Sequence, residues 1–262
     1  MTGRLVITGA GGQVGGRLAA EAAGRGRTVA AFGSAQWDIT DPAAAAALVQ
    51  RGDVVVNCAA YTDVDAAETD RERAHAVNAV GPQHLAAGCA AAGARLIHLS
   101  TDYVFGGDFG GAPPRPYRPD DPTGPLNVYG QTKLAGERAV LAAQPSALIV
   151  RTAWVYTGGT GGDFVAVMRR LADRAGTVSV VDDQIGSPTY AGDLVAALLE
   201  LVDSPASGGG IVHAANRGAV SRFEQARAVF AGVGADPDRV RPVRSAEHPR
   251  PARRPGDRKS VV

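Results

Sequence analysis

Cysteine is nearly absent from the 262-residue chain: Cys58 and Cys89 are the only two, and neither stands at a metal-binding spacing. A disulfide framework is thereby excluded, and both read as free, buried thiols of a reducing compartment. Histidine is scarce as well. His75, His84 and His248 lack partners at ligand spacing, while His98 and His213 sit in apolar segments as satisfied structural histidines, so no metal is expected. A charge excess is missing: 27 Lys and Arg against 26 Asp and Glu leave a formal +1, which gives no basis for binding nucleic acid or an anionic membrane. No apolar run approaches the ~18 residues of a spanning helix. No secretory signal is visible, since Arg4–Thr8 already reads as a core strand leading into a glycine-rich turn. A soluble cytoplasmic protein is the expectation, without internal repeats or low-complexity domains.

What is present is an alternation. Hydrophobic residues make up 45% of the chain, enough for a sizeable core. Strand patterns at Arg4–Thr8, Thr28–Phe32, Val54–Ala59, Arg95–Ser100 and Ala147–Trp154 alternate with helical patterns at Val14–Arg25, Pro42–Gln50, Arg71–Ala92 and Tyr129–Gln144. Continuous apolar strands such as Val54-Val55-Val56 fit a parallel sheet covered on both faces. The predicted fold is α/β: a Rossmann doubly wound parallel sheet with a smaller C-terminal substrate-binding lobe. The dinucleotide-binding domain takes residues 1–155 plus about 190–215, and the lobe about 156–189 plus 216–245. Residues 246–262, rich in Arg and Pro, read as an irregular, disordered or loosely attached tail. Ser221-Arg222-Phe223-Glu224 is a capping box opening a helix. The Gly- and Pro-rich stretch 106–125 is too long for a plain connection.

Glycines at 9, 12 and 15 follow the first strand and open the first helix. Gly9 permits the tight turn, Gly12 lets a pyrophosphate approach the backbone, and Gly15 lets helix and strand pack closely. The anion then meets unpaired N–H groups at the helix N-terminus, with Gln13 and Val14 beside it. An NAD-type site usually has an acid at the end of the second strand. Here that strand ends Phe32-Gly33-Ser34-Ala35, and the first carboxylate is Asp38. Without that acid a 2′-phosphate is not repelled, so NADPH is favoured, with NADH as the alternative. Ser34 and Arg17 are the residues available to such a phosphate, and Asp38 with Ile39 is expected near the adenine. Ala59-Ala60-Tyr61-Thr62, after the third strand, admits the cofactor.

Tyr129 and Lys133 form a Y-x-x-x-K pair one helical turn apart, on one face. A free phenol, with a pKa of ~10, is a sluggish acid, and a nearby ammonium lowers that value. Lysine can also hold the nicotinamide ribose. Thr101 and Asp102 end the fourth strand, where open α/β sheets bind ligands. Thr101 is placed to hydrogen-bond a substrate carbonyl; Asp102 either tunes that network, binds a sugar hydroxyl or caps a turn.

Together with these motifs, Asn57-Cys58-Ala59-Ala60-Tyr61-Thr62-Asp63-Val64-Asp65, Ser100-Thr101-Asp102-Tyr103-Val104-Phe105, Arg151-Thr152-Ala153-Trp154-Val155-Tyr156 and Asp182-Asp183-Gln184-Ile185-Gly186-Ser187-Pro188-Thr189 occur in an order that resembles the extended short-chain dehydrogenases/reductases. Within them the chain is similar to the dTDP-4-dehydrorhamnose reductase family over about residues 4–245, and its Ala-, Arg- and Gly-rich composition is compatible with mycobacterial members. The resemblance implies NADPH-dependent reduction of the C4 keto group of dTDP-4-dehydro-6-deoxy-L-mannose to dTDP-L-rhamnose, the last step of dTDP-rhamnose biosynthesis. It implies that Tyr129 gives the proton, that Thr101 and Asp102 assist, that Lys133 orients the ribose, and that Trp154 lies against the sugar or nucleotide. A small-molecule nucleotide sugar is the partner, and the chain acts as monomer or homodimer. The family's Mg²⁺-bridged dimer is not carried over, because Gly16 and Arg17 offer no carboxylate. The family's usual closing helix has no counterpart in Pro251–Val262, so a truncated or altered C-terminus is expected, with Arg253 and Arg254 on a solvated basic tail. Two alternatives share the motifs: a nucleotide-sugar epimerase or dehydratase that keeps its NAD bound, and a non-catalytic NADP-binding regulatory subunit.

Overall fold

The computed structural model describes residues 3–107, 109, 115–159, 161–204 and 209–254. Its central sheet is built from β1 (Leu5–Thr8), β2 (Val29–Phe32), β3 (Val54–Asn57), β4 (Arg95–Thr101) and β5 (Leu148–Thr152), joined late in the chain by Gly210–His213. All neighbours run parallel, and the spatial order is β2-β1-β3-β4-β5 followed by Gly210–His213. The order reverses between β1 and β3, which opens a crevice beyond the strands' carboxyl ends.

The apolar strand runs follow from coverage on both faces. Leu5, Ile7, Val54, Val56, Leu148 and Val150 pack against α1 (Gln13–Gly24) and the later helix Ala191–Asp203. Their alternates Val6, Val55 and Ile149 pack on the other face, against α2 (Pro42–Leu48), the helix Gly81–Ala92 and the helix Val128–Ala143. With both faces buried the strands are largely apolar, and the polar residues inside them, His98 in β4 and Arg151 in β5, are held by buried partners, Asn57 and Glu137.

The single helix expected over Arg71–Ala92 is instead three pieces. α3 (Arg71–His75) runs through a wider π-type turn, Ala76–Val80, into α4 (Gly81–Ala92). The wide turn holds the buried Asn78, whose amide accepts from Tyr61 N (2.8 Å) and donates to Tyr61 O and Thr132 Oγ1 (both 3.1 Å). A π-type turn at such a site is a common functional device. α5 (Val128–Ala143) starts at Asn127, whose side chain accepts from Gly130 N at 2.8 Å. The strand expected to reach Trp154 stops at Thr152, and a separate strand, β6 (Val155–Tyr156), follows.

Beyond β6 the elements are α6 (Phe164–Ala172), β7 (Val178–Val181), β8 (Ile185–Gly186), β9 (Thr189–Tyr190), α7 (Ala191–Asp203), β10 (Gly210–His213), β11 (Val220–Ser221), α8 (Arg222–Gly232) and β12 (Val240–Val243). Met168, Val180, Ala226, Phe230 and Val240 form a second small core where α6 and α8 meet β7 and β12. The capping box at the start of α8 is complete: Ser221 Oγ accepts from Glu224 N at 3.0 Å and Glu224 Oε2 from Ser221 N at 2.6 Å.

The expectation of a loose, solvated tail is corrected for its first part. Ala252 is buried, Arg253 O accepts from Asn127 Nδ2 (2.9 Å), and Arg254 forms two hydrogen bonds to Asp65 (2.9 and 3.1 Å). Burial would raise the Asp65 carboxyl, but Arg254, Ala252 N and Arg250 together hold it below its ordinary value. Residues 255–262 lie outside the described residues. His213 is half-buried, packed edge-on against Phe105 at 5.9 Å, and burial followed by the charge of Arg151 pushes it down to about 4. No described helix is long and apolar enough to cross a membrane.

Candidate active site

A cleft of about 980 Å³ runs over the carboxyl ends of the strands. One end is the glycine turn. Gly9 has φ +68°, and a Cβ there would stand 2.5 Å from Ala59 N, so turn and following strand end are in backbone contact. A Cβ on Gly15 would stand 2.4 Å from Gly9 O, which explains the close seating of α1. Gly11 and Gly12 face open space or only Gly9 O at 3.3 Å. The first turn of α1 carries no acid. A bare backbone cradle with unpaired N–H groups and no carboxylate fits a pyrophosphate.

Gln13 and Val14 line this end, and Ser34, Asp38 and Ile39 line the adjoining wall beyond β2. Asp38 Oδ1 accepts from Thr40 N (3.0 Å) and Thr40 Oγ1 (2.8 Å), and these bonds hold its carboxyl below the ordinary range. Arg17 does not reach the cleft wall. It pairs with Glu21 at 2.9 Å and lies 5.0 Å from the Tyr190 ring, so the expectation that it meets a 2′-phosphate is corrected. Arg73 of α3 lines that end instead, facing Asp38.

The floor comes from β3. Asn57 Oδ1 accepts from Thr8 Oγ1 (2.7 Å) and Ala59 N (3.0 Å), and its amide nitrogen lies 2.9 Å from His98 Nδ1. This buried chain across β1, β3 and β4 fixes the turn from which Ala59, Ala60, Tyr61 and Thr62 line the cleft. Burial, and secondarily the Lys133 charge, keeps His98 far below its ordinary pKa and therefore neutral.

The other end gathers the reactive side chains. Tyr129 and Lys133 project from α5, and Thr101 and Asp102 from the end of β4. Lys133 Nζ donates to Leu99 O at 2.7 Å, which ties α5 to β4. Thr101 Oγ1 donates to Asp102 Oδ1 and accepts from Tyr103 N, both at 3.2 Å, and Thr101 and Asp102 are buried. Tyr103 meets the Tyr129 ring edge-to-face at 5.3 Å. Trp154 closes the β5 side. With the exception of Arg17, every residue proposed from sequence for cofactor, catalysis or substrate thus lines one cleft.

Sequence reasoning missed Arg73, Asp163 and Arg222. Asp163 caps α6 (Ala166 N, 3.0 Å) and accepts from Gln13 Nε2 at 3.3 Å, linking the loop before α6 to the glycine turn. Arg222 reaches the cleft from α8, far away in the chain. Its capping box located a helix start, but nothing in the local pattern shows which wall that start faces. No group of three or more metal-ligating side chains occurs among the described residues.

Fold and cleft together define a class: an α/β dinucleotide-binding oxidoreductase of the short-chain type, with a tyrosine–lysine pair on the helix after the fourth strand. The chain belongs to the RmlD substrate binding domain family, whose model matches residues 3–261. It is 68% identical over 251 residues to the dTDP-4-dehydrorhamnose reductase of Mycobacterium tuberculosis, covering 96% of this chain and 82% of the relative. Identity to the dTDP-4-dehydrorhamnose reductase of Mycolicibacterium smegmatis is 63% over 257 residues, covering 97% and 77%. The crystal structure of dTDP-4-dehydrorhamnose reductase from Bacillus anthracis in complex with NADP is similar, with a TM-score of 0.91 at 38% identity, covering 98% of this chain and 89% of that one.

Proposed function

We propose that the chain reduces the C4 keto group of dTDP-4-dehydro-6-deoxy-L-mannose with NADPH, yielding dTDP-L-rhamnose. The observation that carries this reading is the meeting of Tyr129, Lys133, Thr101 and Asp102 at one end of a cleft whose other end is a bare glycine turn. The turn at Gly9–Val14 holds the cofactor's pyrophosphate, Ser34 the ribose phosphate, and Asp38 with Ile39 the adenine. When bound, the reduced nicotinamide supplies the hydride. Tyr129 supplies the proton to the nascent C4 alkoxide, and Thr101 turns its one hydroxyl proton from Asp102 to the carbonyl oxygen when the sugar binds, while Tyr103 N keeps the hydroxyl in place. Trp154 lies against the sugar. The reading puts the enzyme in the cytoplasm, as monomer or homodimer, at the last step before a rhamnosyl donor is used.

The test is loss of NADPH absorbance in the presence of the 4-keto sugar. One NADPH consumed per sugar supports the reading. Tightly held NAD(H) with no net consumption points to an epimerase or dehydratase, and nucleotide binding without turnover points to a regulatory subunit.

Lys133 predicts the alkaline limb of the pH profile. Burial pushes its ammonium down to about 8, against the opposing pull of Glu137 and Cys58. The charged form is the one that holds the ribose and favours the phenolate. Activity is therefore expected to be full below that value and to fall as pH rises through about 8. Lys133→Arg, always charged, removes this limb whatever its turnover. A limb unchanged in the arginine variant assigns the titration to another group.

A further inference from the structure

Trp154 is the only described non-glycine residue with positive φ, at +46°. Left-handed backbone at a bulky residue costs roughly 1–3 kcal/mol and persists only where the surroundings enforce it. Gly186 is one enforcer: a Cβ there would stand 2.3 Å from Trp154 Cε2, so only glycine lets β8 pass the indole. Arg222 is the other. Its guanidinium carbon lies 3.4 Å from the Trp154 ring centroid and 4.8 Å from that of Phe164. Its backbone N donates to Gln184 O at 3.1 Å and its Nη1 to Gln225 Oε1 at 3.0 Å. Strain, ring stacking and hydrogen bonds thus hold one cation at one place in the cleft wall.

That place lies on the β5 side of the cleft. Trp154 follows Thr152, which pairs in register with Thr101. The glycine turn follows β1, three strand spacings from β5 in the sheet, or roughly 14 Å. Arg222 lines the cleft on Trp154 at this side, and its other ring partner, Phe164, follows the Asp163 that meets Gln13 of the glycine turn, so the guanidinium faces the span of the cleft between the reactive end and the cradle. A stacked guanidinium keeps its donors in a fixed plane, the geometry that suits phosphate oxygens.

We propose that Arg222, seated on Trp154, binds the diphosphate of the nucleotide-sugar substrate and so sets the requirement for a nucleoside diphosphate. The proposal rests on the reductase reading for the identity of the sugar. Arg222→Gln keeps length and polarity and removes the charge. Loss of charged hydrogen bonds predicts a KM for the dTDP-sugar and a Ki for dTDP each raised roughly 10- to 100-fold. The kcat and the KM for NADPH stay near their wild-type values, and loss of the ring stack lowers the melting temperature by roughly 2–4 °C. Arg222→Lys restores part of the dTDP affinity, because charge returns without the planar fork. Unchanged dTDP inhibition in Arg222→Gln overturns the proposal. So does a parallel loss of NADPH binding and kcat with a larger fall in melting temperature, which marks a purely structural stack. The wild-type arm separates the two readings. If dTDP binds but the 4-keto sugar is not reduced, the reductase reading fails while the dTDP titration still decides the role of Arg222; if wild type binds no dTDP, the diphosphate assignment falls.

Discussion

Tyr129→Phe is expected to lower turnover by roughly 10²-fold or more while leaving NADPH affinity and melting temperature nearly unchanged. The reason lies in what the substitution removes and what it leaves. The Tyr129 ring packs edge-to-face on Tyr103, and its helix is set by the Asn127 cap and by the bond from Val128 N to Glu68 Oε1 at 2.8 Å. None of these uses the phenolic oxygen. A phenylalanine therefore keeps the ring contact and the position of Lys133 while the proton donor is lost. Single-turnover rates with NADPH and the 4-keto sugar measure the loss, and a nucleotide titration on the same sample measures cofactor affinity. A variant that turns over at the wild-type rate removes Tyr129 from the mechanism and moves the proton to another group on the cleft wall, with Asp102 the first to test.

Much of this arrangement was legible in the sequence because local pattern and global fold agree there. The glycine turn is specified by backbone geometry at three spaced positions. The Tyr129–Lys133 pair is specified by helical spacing, and the strand ends carrying Thr101 and Ala59 by their apolar runs. What escaped depends on contacts distant in the chain. Arg222 and Trp154 are 68 residues apart and meet only when α8 folds over β8. The wide turn at Ala76–Val80 has ordinary helical composition, and only the demand that Asn78 bond both backbone groups of Tyr61 identifies it. Arg254 looked solvated because its partner Asp65 lies at the other end of the chain. Arg17 looked available because the sequence gives its proximity to the glycine turn but not the direction of its side chain, which Glu21, one helical turn on, takes.

Glu137→Ala is expected to destabilise the fold by about 3–5 kcal/mol, the range for leaving one member of a buried ion pair uncompensated. Glu137 and Arg151 are each 2% exposed and joined by two hydrogen bonds, 2.9 and 2.7 Å. Arg151 sits in β5 with its guanidinium carbon 5.0 Å from the Phe105 ring centroid and one nitrogen donating to Pro119 O at 3.1 Å. It cannot reach water when its carboxylate is removed, so the cost is that of a buried, unpaired cation. Denaturant melts should show a lower midpoint at unchanged slope. The pair also touches the chemistry. The Glu137 charge opposes the burial that pushes Lys133 down. Glu137→Gln, which keeps the shape and part of the hydrogen bonding, should therefore move the alkaline limb of the activity profile below its wild-type pH. A full loss of stability with an unmoved limb would confine Glu137 to holding β5 and α5 together. A moved limb makes the same carboxylate both a brace between helix and sheet and the group that keeps the catalytic lysine charged at neutral pH.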